Sequence, residues 1–270
     1  MSYYFVIMTQ ARVAVCLSGQ PRSAKDTFGF IMNNIIKPNN ADVFIHMNYD
    51  NESRYMEKSH ADNGRCLLDA DMDKWVIDNY NPVRYLVEKP RDFKNAVIGI
   101  SDSRLNNHKR MNSHKVWTDE EHKRYIVKNL YSMYYSIYKC NELKEMFALE
   151  TGVHYDYVMR LRFDITPQEV IKCGDYDPNF IYYLDIGQPD CLISDWLNFG
   201  SNGIMNVYAS LFLHMEYLNN FRFMKKEERE ENKLEPSEVY SGIYEHMLRD
   251  LMYLHKIPKK GIKSNCGLMY

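Results

Sequence analysis

An α/β fold, with a mixed, mostly parallel sheet flanked by helices, is the architecture that this sequence predicts. Three observations carry it. Short apolar runs recur at residues 12–17, 42–47 and 84–88, each the length of a buried strand. Helix-like patterns lie between them, so the chain opens as β-α-β-α-β, an order that implies parallel strands and right-handed crossovers. A later apolar run, Tyr155-Asp-Tyr-Val-Met-Arg-Leu-Arg-Phe-Asp164, ends in charge, and open α/β sheets build ligand sites at the carboxyl ends of their strands.

The elements follow in order. Arg12-Val-Ala-Val-Cys-Leu17 reads as the first strand, and Ser18-Gly-Gln-Pro-Arg22 as the turn after it. A helix is expected from Ser23, with Asp26 completing a Ser-x-x-Asp capping box and Phe28, Ile31, Met32 and Ile35 facing the core. Asp42-Val-Phe-Ile-His-Met47 is the second strand, with His46, Asn48 and Asp50 around its end. Residues 67–79 read as a helix and 84–88 as the third strand. Residues 89–118 are polar and aperiodic, which predicts a long loop or a lid. Thr118-Asp-Glu-Glu121 is a second capping box. It opens a long helix whose apolar stripe is Ile126, Leu130, Met133, Ile137, Cys140 and Phe147. After the charged strand come a strand at 180–184, the segment Cys191–Ser201, a helix over 203–212 and a helix over 236–251 with proline in its first turn. The Lys- and Gly-rich tail from Pro258 is expected to run over the surface.

Bulk properties narrow the function classes. The formal net charge is −2 and no Lys/Arg block is long, which argues against a nucleic-acid footprint. The 22 tyrosines suit sugar or nucleotide grooves as well as cores, because each joins an aromatic face to a hydroxyl. The six cysteines are scattered with no C-x-x-C, so reduced, buried thiols and a reducing compartment are expected. His108, His114 and His122 lack metal-site spacing and read as surface or loop histidines. The apolar run 3–8 is too short for a signal peptide and no stretch reaches transmembrane length, so the expected location is cytoplasmic, with peripheral contact to any membrane-bound acceptor.

Four groups of residues are candidates for chemistry. With a period of two, Arg160, Arg162 and Asp164 share one face of their strand. Two guanidiniums can grip a diphosphate, and a carboxylate beside them can hold a metal or a sugar hydroxyl. The same triplet would also serve as an ordinary Arg–Asp pair at a strand end. Ser18-Gly-Gln-Pro-Arg22 stands between a strand and a helix N-terminus, where backbone NH groups attract anions and Gly19 allows close approach; a plain tight turn is the competing reading. Asp195-Trp196 pairs a carboxylate with an aromatic, as sugar sites do, although a helix cap or a satisfied loop aspartate would look the same. Tyr135, Ser136 and Lys139 form a helix face that could look into a cleft, or tyrosines packing at the core edge; Glu238 and Glu245 are more distant possibilities.

Taken together, Val15–Arg22, Asp42–His46, Ser132–Leu143, Tyr157–Asp164 and Ser194–Ser201 resemble GT-A-type glycosyltransferases, in the same order along the chain. The nearest in pattern are the enzymes of bacterial surface polysaccharide and lipopolysaccharide synthesis and their relatives in large DNA viruses. The resemblance implies a Rossmann-like GT-A domain over residues 1–270, with 12–165 as the nucleotide-sugar half and 166–270 as the acceptor half. It implies a nucleotide-diphosphate-sugar donor, a glycan or other hydroxyl acceptor, and Ser18, Gly19, Gln20 and Arg22 along the nucleotide. His46, Asn48, Tyr135, Ser136, Lys139, Arg160 and Arg162 are the further donor-side candidates. A divalent metal, manganese or magnesium, is implied at the Asp-x-Asp position. That position reads Arg162-Phe163-Asp164 here, so Asp164 alone remains as an acidic ligand. Asp195 falls where such enzymes place an acceptor-side carboxylate.

Two other functions compete. Leu17-Ser-Gly-Gln-Pro-Arg-Ser23 superficially matches the phosphate loop of phosphoadenosine-dependent sulfotransferases, but Ala24 and Lys25 stand where that loop has glycine and threonine. The missing first acidic residue also leaves open a catalytically inactive nucleotide- or glycan-binding protein.

Overall fold

The structure, a computed structural model, describes residues 11–52, 55–57, 65–93, 96, 100, 102–113, 115–187, 193–222, 243–264 and 266–268. Its strands are β1 (Val13–Gly19), β2 (Asp42–Asn48), β3 (Tyr55–Glu57), β4 (Arg65–Leu67), β5 (Arg84–Glu88), β6 (Tyr157–Leu161), β7 (Ile165–Pro167), β8 (Ile181–Leu184), β9 (Leu197–Ser201), β10 (Lys259–Ile262) and β11 (Cys266–Leu268). Its helices are α1 (Ala24–Ile31), α2 (Met72–Tyr80), α3 (Asp102–Met111), α4 (Asp119–Thr151), α5 (Asn202–Ala209), α6 (Leu211–Arg222) and α7 (Ile243–Leu254). A π-helical stretch, Met32–Ile36, carries α1 on to Lys37–Asn39.

Among the described residues the main sheet has seven strands in the order β10-β8-β9-β6-β1-β2-β5. The pairs β10/β8, β6/β1, β1/β2 and β2/β5 are parallel, whereas β9 runs antiparallel to both β8 and β6. The result is an α/β fold with a mixed, mostly parallel sheet, compatible with a Rossmann-like architecture. Two small ribbons accompany it, β3/β4 and β7/β11.

Strand alternation divides the core into two layers. Val13, Val15 and Leu17, with Val43, Ile45 and Met47, face one side and pack with Ile31, Ile35 and Val76 of the first helices. Ala14, Cys16 and Phe44 face the other side, under Ile126, Leu130, Ile137 and Cys140 of α4. The stripe expected on the long helix is therefore its core face, although Met133 and Phe147 are only partly buried. Thr118 and Glu121 form the reciprocal cap that the sequence predicts.

Several expectations need correction. The capping bond at Ser23 is not made, although α1 does start at the next residue. Residues 89–118 are not one long loop, because 102–111 form α3. This helix hid because Asp102–Met111 contains only two apolar residues, Leu105 and Met111, which leave no stripe to read. His108 and His122 are buried rather than superficial; His114 lies outside the described residues. The tail lies at the surface but is not irregular: β10 pairs with β8 at the sheet edge and β11 pairs with β7. Cys16, Cys140 and Cys173 are buried free thiols and Cys266 is a partly buried one. Cys191, Pro236 and Glu238 lie outside the described residues, as do the side chains of Cys66 and Glu245.

Candidate functional site

The chain runs from β1 outward to β2 and β5, then returns to place β6 on the other side of β1. Connections therefore diverge above the β1/β6 boundary, the switch point where open α/β sheets leave a crevice at the strand carboxyl ends. A cleft of about 360 Å³ lies there. Its sheet side is lined by Ser18 and Gly19 at the end of β1, Asn48 at the end of β2, and Arg160 and Arg162 at the end of β6. Gln20, Arg22, Phe163, Asp164, Asp195 and Trp196 complete that side. Gly19 has φ +118°, a backbone setting that side-chain-bearing residues rarely adopt, so glycine is needed for the turn itself. Arg22 is steadied by donating from Nε to Gln20 Oε1 at 3.1 Å.

Arg160 is the unusual group. Its residue is 3% exposed, and Nε donates to Ser18 Oγ at 3.3 Å. Its Nη1 has no hydrogen-bond partner, and no ion pair reaches the side chain among the described residues. A buried guanidinium without a counter-ion is costly, and the cleft that it lines is where an anion would offset that cost. Arg162 is arranged differently. Nε and Nη2 donate to the two oxygens of Asp164 at 2.8 and 2.7 Å, and Nη1 reaches Asp195 Oδ2 at 3.3 Å. One guanidinium thus links two carboxylates that are 31 residues apart in the chain. Burial pushes the Asp164 carboxyl up, but the charge and hydrogen bonds of Arg162, with help from Arg22, outweigh it and hold the group below its ordinary value.

The opposite wall comes from α4, and strand and helix geometry explain why. Alternate residues along β2 meet side chains one helical turn apart: the Phe44 backbone carbonyl accepts from Cys140, His46 pairs with Ser136, and Asn48 donates to Ser132. Two strand residues and four helix residues each advance roughly 6 Å, so this pairing stays in register. The earlier turns of α4 therefore pass beyond the strand ends. Tyr125, Ile126, Asn129, Leu130 and Met133 line the cleft from there, with His108 of α3 beside them and Leu268 of β11 at another edge. The sequence reading missed these wall residues. Tyr125, Asn129 and Met133 recur every fourth residue, but only the overhang of α4 turns that spacing toward a cleft.

The structure brings nine candidates together here: Ser18, Gly19, Gln20, Arg22, Asn48, Arg160, Arg162, Asp164 and Asp195. It does not bring His46, Tyr135, Ser136 and Lys139 to the cleft lining. His46 is wholly buried, with Nδ1 2.6 Å from Ser136 Oγ and Nε2 2.9 Å from Glu88 Oε2. Tyr135 donates its hydroxyl to the same Glu88 oxygen at 2.9 Å, and Arg91 donates to the other at 2.7 Å. This network stitches α4 to β2 and β5, and Lys139 pairs with Glu142 along the helix.

Among the described residues no group of three or more His, Cys, Asp or Glu side chains is placed to hold a metal ion. Asp164 and Asp195 are the acidic residues in the cleft lining, and the positive charge between them is Arg162. A hard divalent cation needs several oxygen ligands, so this donor set does not fit one unless Arg162 swings aside. No helix among the described residues is long and apolar enough to cross a membrane. No protein-family model matches the chain, and no curated protein matches it.

Proposed function

We propose that the chain is a glycosyltransferase of GT-A type, moving a sugar from a nucleotide-diphosphate-sugar donor to a hydroxyl acceptor such as a glycan. The observation that carries the reading is the buried Arg160 with its unpartnered Nη1 at the β1/β6 switch point, beside Arg22 and Arg162. A mixed, mostly parallel sheet is also what a GT-A fold requires. In the transfer, the bond between the anomeric carbon and the phosphate oxygen breaks, and its electron pair leaves on the nucleoside diphosphate. Arg22, Arg160 and Arg162, which line the cleft, stabilise that developing charge. Asp195 is 8% exposed and uses one oxygen on Arg162, leaving the other to accept the proton of the acceptor hydroxyl in an inverting reaction. Trp196 beside it offers an aromatic face to a sugar ring.

A panel of nucleotide-sugars tests this, with hydrolysis and transfer followed in the presence and absence of manganese. At least one donor should be cleaved, with free nucleoside diphosphate competing. A chain that binds and cleaves none of them would overturn the reading. Turnover that requires manganese would mean that Arg162 gives up Asp164 to a metal.

A further inference from the structure

The two sides of the cleft differ in chemistry. The sheet side carries three arginines and two aspartates, whereas Tyr125, Ile126, Asn129, Leu130, Ser132 and Met133 of α4 bring no charge at all. The Tyr125 ring is held by its neighbours. Its centroid lies 5.1 Å from that of Trp117 and 5.5 Å from that of His108, and Lys115 Nζ sits 4.7 Å over it and 4.2 Å over Trp117. His108 is itself fixed, buried and 2.9 Å from His122 through their Nδ1 atoms. Tilted ring contacts of this kind set the angle of a partly exposed aromatic before any ligand arrives. Asn129 stands one helical turn on from Tyr125, is exposed, and lines the same cleft.

We infer that Tyr125 and Asn129 form the subsite for the nucleobase of the donor, an assignment that rests on the nucleotide-sugar reading above. A base is a flat, weakly charged heterocycle with hydrogen-bonding groups on its edge. An aromatic face takes its plane, and a side-chain amide can both donate to and accept from its edge. The apolar neighbours Ile126, Leu130 and Met133 suit that ring and offer nothing to a polyhydroxyl sugar. The sugar is better served near Asp195 and Trp196, with the diphosphate over the arginines between the two.

Calorimetric titration of the full chain with uridine, cytidine, guanosine and adenosine diphosphates, and with inorganic pyrophosphate, separates the subsites. One nucleoside diphosphate should bind the wild type most tightly. Tyr125→Leu and Asn129→Ala should each weaken it roughly tenfold or more while leaving pyrophosphate affinity unchanged. Tyr125→Phe, which keeps the ring, should retain the affinity for the nucleotide. Unchanged pyrophosphate binding in the variants also shows that the cleft is still folded. If wild type binds neither nucleotide nor pyrophosphate, the proposed function falls and this subsite with it. If wild type binds both, and the variants lose both equally or lose neither, the subsite alone is overturned.

Discussion

At the scale of single residues, the site turns on two arginines in opposite states. Arg160 is buried with an unpartnered Nη1, whereas Arg162 is held by two carboxylates. An uncompensated buried charge lowers stability, so Arg160→Met should leave the thermal midpoint unchanged or raise it while weakening pyrophosphate and nucleotide binding at least about tenfold. Differential scanning fluorimetry with titration checks both halves; a large loss of stability with intact binding would make Arg160 a structural residue. Asp164→Asn keeps the shape of the Arg162 contact but removes its charge. Transfer should fall by about a hundredfold or more, with far-ultraviolet circular dichroism unchanged. Wild-type turnover in that variant would show that transfer does not depend on the Asp164 charge that holds Arg162. These residues were legible because charge after an apolar run is a signal in one dimension. That Arg162 would grip Asp195 as well was not, since nothing in sequence couples positions 162 and 195.

At the scale of elements, the long helix α4 decides how much of the site exists. Its cap at Thr118 and its apolar stripe were readable, because both depend on local spacing. Its partner α3 was not, for lack of an apolar face, and the edge strand β10 was not, because Lys259-Lys-Gly-Ile262 becomes a strand only when β8 is there to pair with it. The seam between α4 and β2 gives a pH prediction. Burial disfavours the charged form of His46 and, despite Glu88, keeps its pKa below the ordinary 6.5. The unfolded chain then binds more protons just below that value, so the stability from this contact is present above pH 6.5 and is lost as the pH falls. Burial pushes the Glu88 carboxyl up, but His46, Arg91 and Tyr135 hydrogen bonds bring it down to about 2, so its share is lost between its ordinary 4.5 and that value. Thermal midpoints should therefore drop from pH 7 to pH 5 and further below 4.5. His46→Gln should flatten the first part of that curve; an identical slope in the variant would assign the acid sensitivity elsewhere.

At the scale of the whole molecule, the sheet order places the site. Strands β1, β2 and β5 build outward in one direction and β6 in the other, and Ser18, Asn48, Arg160 and Arg162, from the ends of β1, β2 and β6, are gathered in one cleft. The β-α-β-α-β opening made this half of the fold predictable from periodicity alone. The antiparallel insertion of β9 between β8 and β6 depends on long-range pairing that no local pattern announces. It matters, because Asp195 and Trp196 immediately precede β9 and owe their place in the cleft to it. The most direct measurement is a crystal structure of the chain grown with the nucleoside diphosphate that binds it best. The predicted result is a diphosphate at the carboxyl ends of β1 and β6, within hydrogen-bonding distance of Arg160 and contacted by Arg22 or Arg162. A nucleotide bound at the opposite edge of the sheet, with Arg160 still lacking an anion, would contradict it.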